Sequence, residues 1–221
     1  MKKLWLIGLV CAALLWTVPA HAARAGLTIK GGTLGIGVDA TASIVPKVNL
    51  RGNFNVFKYS FSGTQSGVRY DVDLKLRSFA VLLDLHPIPR SGFRLSGGVL
   101  FNKNRMDMAS DQITASYTIG SRTYTSNQVG TLNGGGKFKT GAPYLSIGWG
   151  NATGRRVGVA FDLGVAFQGS PDVFLAATGP IASDANFRNE LNQEVQEVED
   201  GLKEFKYYPV FALGITFKLG L

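Results

Sequence analysis

The stretch Phe211-Ala212-Leu213-Gly214-Ile215-Thr216-Phe217-Lys218-Leu219-Gly220-Leu221 decides the fold. Its odd-numbered positions are all large and apolar, and its even-numbered positions are small or polar. That is strict period two, the pattern of a β-strand with one greasy face. A segment from Val157 repeats it: Val157, Val159, Phe161, Leu163, Val165 and Phe167 alternate with Gly158, Ala160, Asp162, Gly164, Ala166 and Gln168. Phe93, Leu95, Val99 and Phe101 alternate in the same way with Arg94, Ser96, Gly98 and Asn102. A soluble β-sandwich also alternates, but its exposed face is rich in Lys, Glu, Thr and Gln. Here the second face is mostly Gly, Ala and Ser with isolated charges, which suits the cramped interior of a barrel whose greasy face meets lipid. The strands also reach the ~9–11 residues needed to cross a bilayer at a tilt.

The start of the chain points the same way. Lys2 and Lys3 precede an apolar run from Leu4 to Val18, and Ala20-His21-Ala22 offers the small residues of a cleavage site. This is the layout of a secretory signal peptide over residues 1–22, leaving a barrel over residues 23–221. The apolar run is short for a membrane-spanning helix and ends at Pro19. Cys11 is the only cysteine and lies inside that run, behind a Val10 too bulky for a lipidation site, so no disulfide or thiolate chemistry is expected in the mature protein. Without Lys2 and Lys3 there are 21 basic against 15 acidic residues, a charge of +6. The basic residues do not cluster beyond Arg155-Arg156, so no nucleic-acid surface is predicted.

Connections set the strand count. Val45-Pro46-Lys47, His86 to Gly92 and Asn151 to Arg156 are short and rich in turn formers. Ala109 to Gln128 and Thr178 to Glu204 are long, and Ser62 to Gly67 is intermediate. Membrane barrels have short periplasmic turns and longer outer loops. Three periplasmic turns with both termini inside require eight strands, the first being Arg24 to Gly31 with an outer hairpin at Gly31-Gly32-Thr33-Leu34-Gly35. The predicted class is therefore all-β: a closed antiparallel eight-stranded transmembrane barrel. One helix is expected in the last outer loop, over Asp184 to Phe205 with Ser183 as N-cap, because Phe187, Leu191, Val195, Val198, Leu202 and Phe205 recur at steps of three and four.

Candidate chemistry is sparse. His86, beside Asp84 in a periplasmic turn, has no evident nucleophile near it in sequence, so a structural histidine at the membrane edge is favoured over a catalytic one. Gly134-Gly135-Gly136-Lys137 lacks both the Ser/Thr and the strand-turn-helix context of a phosphate loop. No catalytic residue, metal ligand or cofactor site is assigned. Alternation instead places Lys30, Arg51, Lys75, Arg77, Arg94 and Lys218 inside the barrel, facing Asp39, Asp71, Asp73, Asp84 and Asp162. From these, Arg51, Asp71, Asp73, Lys75, Arg77, Arg94 and Asp162 form the predicted lumen charge network. In Val68 to Leu85 the apolar set changes from Tyr70, Val72, Leu74 and Leu76 to Phe79, Val81, Leu83 and Leu85, which predicts a bulge near Ser78.

Tyr70-Asp71-Val72-Asp73-Leu74, Ala142-Pro143-Tyr144-Leu145 with Gly148, Gly169-Ser170-Pro171-Asp172-Val173, the acidic last loop and Tyr208-Pro209-Val210 together resemble the CarO-type outer-membrane proteins. The resemblance implies an eight-stranded barrel in the outer membrane of a Gram-negative bacterium and uptake of small basic amino acids or related solutes. The terminal Leu221, where an aromatic residue is expected, and the segment Tyr117 to Tyr124 with its own hairpin pattern depart from the family. The functional expectation is a narrow selective passage or binding protein for small, basic solutes; the alternative is a structural or surface-interaction barrel with a plugged lumen. Expected partners are outer-membrane lipid, the barrel-assembly machinery during insertion, and small solutes, with the protein a monomer.

Overall fold

The computed structural model describes residues 24–65, 68–110, 116–120 and 122–219. The predicted signal segment and Leu221 lie outside these residues. Thirteen strands are present: β1 Ala25–Gly32, β2 Gly35–Val45, β3 Val48–Gln65, β4 Val68–Leu85, β5 Phe93–Asn102, β6 Arg105–Ser110, β7 Ser116–Ile119, β8 Arg122–Thr125, β9 Leu132–Lys137, β10 Gly141–Trp149, β11 Val157–Phe167, β12 Asp172–Ala177 and β13 Tyr207–Leu219. Helix α1 is one turn at Ser126–Val129, and α2 spans Ala185–Gly201.

Eight of the strands close a barrel in the order β1-β2-β3-β4-β5-β10-β11-β13, with β13 returning to β1. Every pairing is antiparallel, which leaves no unpaired edge around the ring. The first strand and its outer hairpin lie where the turn count required them. Outward positions form a continuous apolar surface, including Ile29, Val38, Leu83, Leu145, Val159, Leu213 and Ile215, all exposed.

The other short strands are continuations of barrel strands. β5 and β6 pair with β4 in one register, Ser78↔Asn102 and Lys75↔Arg105, interrupted only at Lys103 and Asn104. There asparagine side chains replace ladder bonds: the Arg77 amide donates to Asn104 Oδ1 at 2.8 Å, and the Asn104 amide donates to Asn102 Oδ1 at 2.7 Å. β9 precedes β10 in the same way against β6 and β5. The upper parts of β3 and β4, with β6, β9 and β12, thus extend the barrel wall into a five-stranded sheet above the ring. The β12 side of its inner face is covered by the β7–β8 hairpin and α2, which bury Tyr117, Tyr124, Phe187 and Leu191 against Leu132 and Val129, while Phe57, Tyr59 and Phe61 of β3 stay exposed. The helix also guards the free edge of β12, where the Val173 amide donates to Glu199 Oε1 at 3.0 Å.

Two local expectations change. The N-cap of α2 is Asp184, whose side chain accepts from the Phe187 amide at 2.9 Å, because Ser183 belongs to a preceding 3-10 turn; a second such turn, Lys203–Lys206, follows the helix. No bulge occurs near Ser78: β3 and β4 keep one register from Val48↔Leu85 to Gln65↔Val68. The apolar phase flips because the surroundings change. Within the ring the odd face of β4 carries Phe79, Val81 and Leu83 and the even face lines the lumen. Above the ring the odd face carries Asp71, Asp73 and Lys75, and the even face, with Tyr70, turns toward the packed hairpin.

Candidate functional site

The lumen is filled in two layers. In the lower layer Arg51, 2% exposed, is the hub. Its Nη1 donates to Asp162 Oδ2 at 3.0 Å and Asp39 Oδ2 at 3.3 Å; its Nη2 donates to Asp84 Oδ1 at 3.0 Å and Ser96 Oγ at 3.1 Å. Arg94 Nη2 donates to Asp162 Oδ2 at 2.8 Å, and Arg94 Nη1 to the Gly150 carbonyl. Lys30 Nζ lies 3.0 Å from Asp39 Oδ1. Three cations therefore meet three carboxylates, all deeply enclosed, which compensates the cost of removing each charge from water. Alternation produces this convergence: five strands each aim one charged side chain at the same height, and Asp84 contributes although it adjoins the turn. Gly148 lies between Arg94 and Asp162 in the sheet. A Cβ there would sit 2.9 Å from Asp162 Oδ1 and 3.1 Å from Arg94 Nε, so a side chain would displace the ion pair.

An amide ladder continues upward. Asn53 Nδ2 donates to Asp39 Oδ1 and Asn55 Nδ2 to Asn53 Oδ1, both at 2.6 Å, and Asn55 Nδ2 also reaches Ser78 Oγ at 3.0 Å. Beside and above it Leu82, Leu100, Ala142, Tyr144, Ala166 and Val210 form an apolar layer, which the sequence reading missed because it expected small and polar residues throughout the interior. Lumen cavities on either side of the network measure about 10 Å³ each, room for about one water.

Of the seven residues assigned to the network, Arg51, Arg94 and Asp162 come together. Asp71, Asp73, Lys75 and Arg77 do not: they share the outward parity of β4. The first three stand above the ring, where water solvates them, and Arg77 lies at the ring's upper edge opposite Val56, with its guanidinium 5.9 Å from the centre of the outward Phe54 ring. Lys218, also expected inside, is exposed at the barrel's lower end. Asp39, Asp84 and Lys30, placed inside by alternation but not chosen for the network, complete it.

The displaced residues make a second feature. On the outer face of the extended sheet, Asp71, Asp73 and Asp107 line an open hollow of about 540 Å³ with Ser60 and Ser62. Ser60 Oγ donates to Asp73 Oδ1 at 2.5 Å, Ser62 Oγ to Asp71 Oδ1 at 2.6 Å, and Lys75 Nζ to Asp107 Oδ2 at 2.9 Å. The Ser60 hydroxyl, followed by Lys75, holds the Asp73 carboxyl below the usual carboxylate range. Gly134 to Lys137 is part of β9, an extended strand and not a phosphate-binding turn; Gly135 leaves room for the Phe174 ring.

His86 Nε2 lies 3.2 Å from Asn49 Nδ2 at the barrel's lower end. Among the described residues, no group of three His, Cys, Asp or Glu side chains could hold a metal ion.

These features define a class: a small closed antiparallel barrel of eight strands, with a packed, charge-lined lumen and an outer sheet capped by a hairpin and helix. Solved structures share its fold, two of them from one organism. CarO2 of Acinetobacter baumannii superposes with a TM-score of 0.58 at 20% identity, over 89% of this chain and 99% of that one. CarO of the same organism superposes with a TM-score of 0.54 at 21% identity, over 88% and 97%. The resemblance read from the sequence is thus borne out in the fold. No family model and no curated protein sequence matches the chain.

Proposed function

We propose that this protein is an integral outer-membrane barrel of a Gram-negative bacterium, exported by its N-terminal signal, with a lumen closed to solutes and an external sheet as its working surface. The exposed apolar wall supports the membrane reading, since eight outward faces of Ile, Val, Leu and Phe have no other solvent that would stabilise them. The single observation that carries the closed lumen is the Arg51 hub, with a cavity of about one water on either side of it. A solute crossing the barrel would have to break at least two buried ion pairs, and an eight-stranded ring is only wide enough for its own side chains. The barrel then serves as an anchor for the capped outer sheet.

The test is reconstitution of the purified protein in a planar bilayer and in vesicles. The closed reading expects no conductance above the bare bilayer and no uptake of lysine or ornithine. Steady conductance from the unmodified protein would reject it in favour of a passage.

A second reading is favoured by the hollow beside Asp71, Asp73 and Asp107, whose carboxylates suit a small basic solute captured from outside. Equilibrium dialysis with radiolabelled lysine checks it. Retention that disappears in a Asp71→Asn/Asp107→Asn double variant supports capture; retention unchanged by the variant rejects this hollow as the place.

A further inference from the structure

At the opposite end of the barrel the three short turns enclose a cavity of about 520 Å³. Each turn contributes one cation: Lys47 from β2–β3, Arg90 from β4–β5 and Arg155 from β10–β11. No Asp or Glu lines the cavity, and among the described residues none of the three cations has a carboxylate partner. Its floor is the buried His86 and Thr216, which separate it from the Arg51 network. Its rim is apolar and outward-facing: Ile88, Trp149 and Val159 are 54%, 56% and 68% exposed.

Backbone conformation adds a second observation. Lys47 at φ 70° and Arg90 at φ 62° are the only non-glycine residues with left-handed φ among those described. Gly or Asn adopts that region more readily, yet both positions carry a long cation and both line this one cavity. Gly92 lets the indole approach the turn, since a Cβ there would sit 2.7 Å from Trp149 Nε1. The indole N–H has no acceptor among the described residues, so it adds a donor at the rim.

We infer that this cavity binds a phosphate-bearing anion, and that its occupant is the headgroup of an anionic phospholipid in the membrane leaflet nearest the turns. Three cations lining one cavity and an indole donor match phosphate oxygens. The apolar rim is continuous with the lipid-facing wall, so the acyl chains of a lipid stay in the bilayer while its phosphate enters the cavity. A free phosphate would use the same donors but leave the exposed rim without contact. The inference rests on the membrane reading of the barrel, and the experiment separates the two.

Trp149 is the only tryptophan beyond residue 22, so its emission reports on the site directly once the signal is removed. The exported protein, purified from membranes, is placed in nanodiscs containing phosphatidylcholine or phosphatidylglycerol with brominated chains, and quenching of Trp149 is measured. Quenching by brominated phosphatidylcholine tests the membrane position alone; its absence overturns the lipid-facing rim and the proposal with it. The site expects phosphatidylglycerol to quench at lower mole fraction, each cation accounting for about a fivefold difference in affinity. The variant Lys47→Asn/Arg90→Asn/Arg155→Gln keeps residues that tolerate the two left-handed positions, and should quench equally with both lipids while still changing gel mobility on boiling. A lipid preference unaltered in that variant overturns the site. Inorganic phosphate is added as a competitor: no displacement is expected, and displacement at concentrations comparable to the lipid overturns the headgroup as the occupant.

Discussion

Arg51 spreads its two Nη atoms over Asp39, Asp84, Asp162 and Ser96; Asp39 and Asp162 each have a further cation, whereas Asp84 accepts from Arg51 alone among the described residues. Asp162 is shared by two arginines, and Arg94 has only the Gly150 carbonyl besides it among the bonds it makes. Asp162→Asn keeps the shape but removes the charge, leaving cations enclosed and undercompensated. The expected loss is on the order of 3–5 kcal/mol, read as a lower midpoint for unfolding in urea. Asp73→Asn is the contrasting change. Asp73 stands in water above the ring, with its salt-bridged side chain 38% exposed. Lys75 keeps Asp107 and solvent as partners there, so the unfolding midpoint should fall far less than in Asp162→Asn. Equal destabilisation by the two substitutions would contradict their different placement.

Among the elements, β13 and β4 show how one pleat serves several solvents. Ile215 of β13 points outward at 52% exposure, whereas Thr216 is 2% exposed in the lumen. If the outer wall is in lipid, Ile215→Lys near mid-depth costs ~2–4 kcal/mol, and refolding yield into vesicles should fall while Ile215→Leu refolds normally. Normal insertion of the lysine variant would place β13 outside the bilayer. The cap responds to pH by a different contact. Tyr124 OH donates to Glu190 Oε2 at 2.5 Å, joining the hairpin to α2, and this bond raises the phenol's pKa. The protonated phenol is therefore the form that the folded cap stabilises. That contribution is complete below the ordinary phenol value of about 10 and is lost as pH rises through the raised value. Cleavage within the β7–β8 hairpin by an alkali-tolerant protease should increase only in that high range, and Tyr124→Phe should remove the pH step.

For the whole molecule, closure of the ring and the filled lumen act together. Every ring strand is hydrogen-bonded on both sides, and the interior holds a polar layer below an apolar one. Such a ring resists detergent until heated. Unboiled protein should therefore migrate differently from boiled protein on a denaturing gel, and the shift should persist after the outer loops are trimmed by protease, since the cap has its own cluster around Phe187. Identical mobility before and after boiling would reject a closed membrane barrel. The two ends of this molecule also differ in charge: an acidic hollow with Asp71, Asp73 and Asp107 lies on the outer sheet, and a cavity with Lys47, Arg90 and Arg155 lies among the turns.

The sequence by itself determined the eight ring strands, their faces apart from Lys218 at the lower end, and the helix of the last loop, but not the short strands β6, β9 and β12. Period two and the position of turn formers are local properties, and a side chain's face follows from parity alone. The same parity sent Arg51, Arg94, Asp39, Asp84 and Asp162 inward, and the structure has them there. Only the tertiary structure decided which charges meet, because that depends on the stagger between strands distant in sequence. It also decided where the ring stops. The pleat of β4 runs unbroken past Ser78, so Asp71, Asp73 and Lys75 carry no sequence mark distinguishing a lumen wall from an outer sheet. The medium around a face, lipid, packed interior or water, is a property of the assembled barrel. It reverses the meaning of an apolar position without changing the strand that bears it.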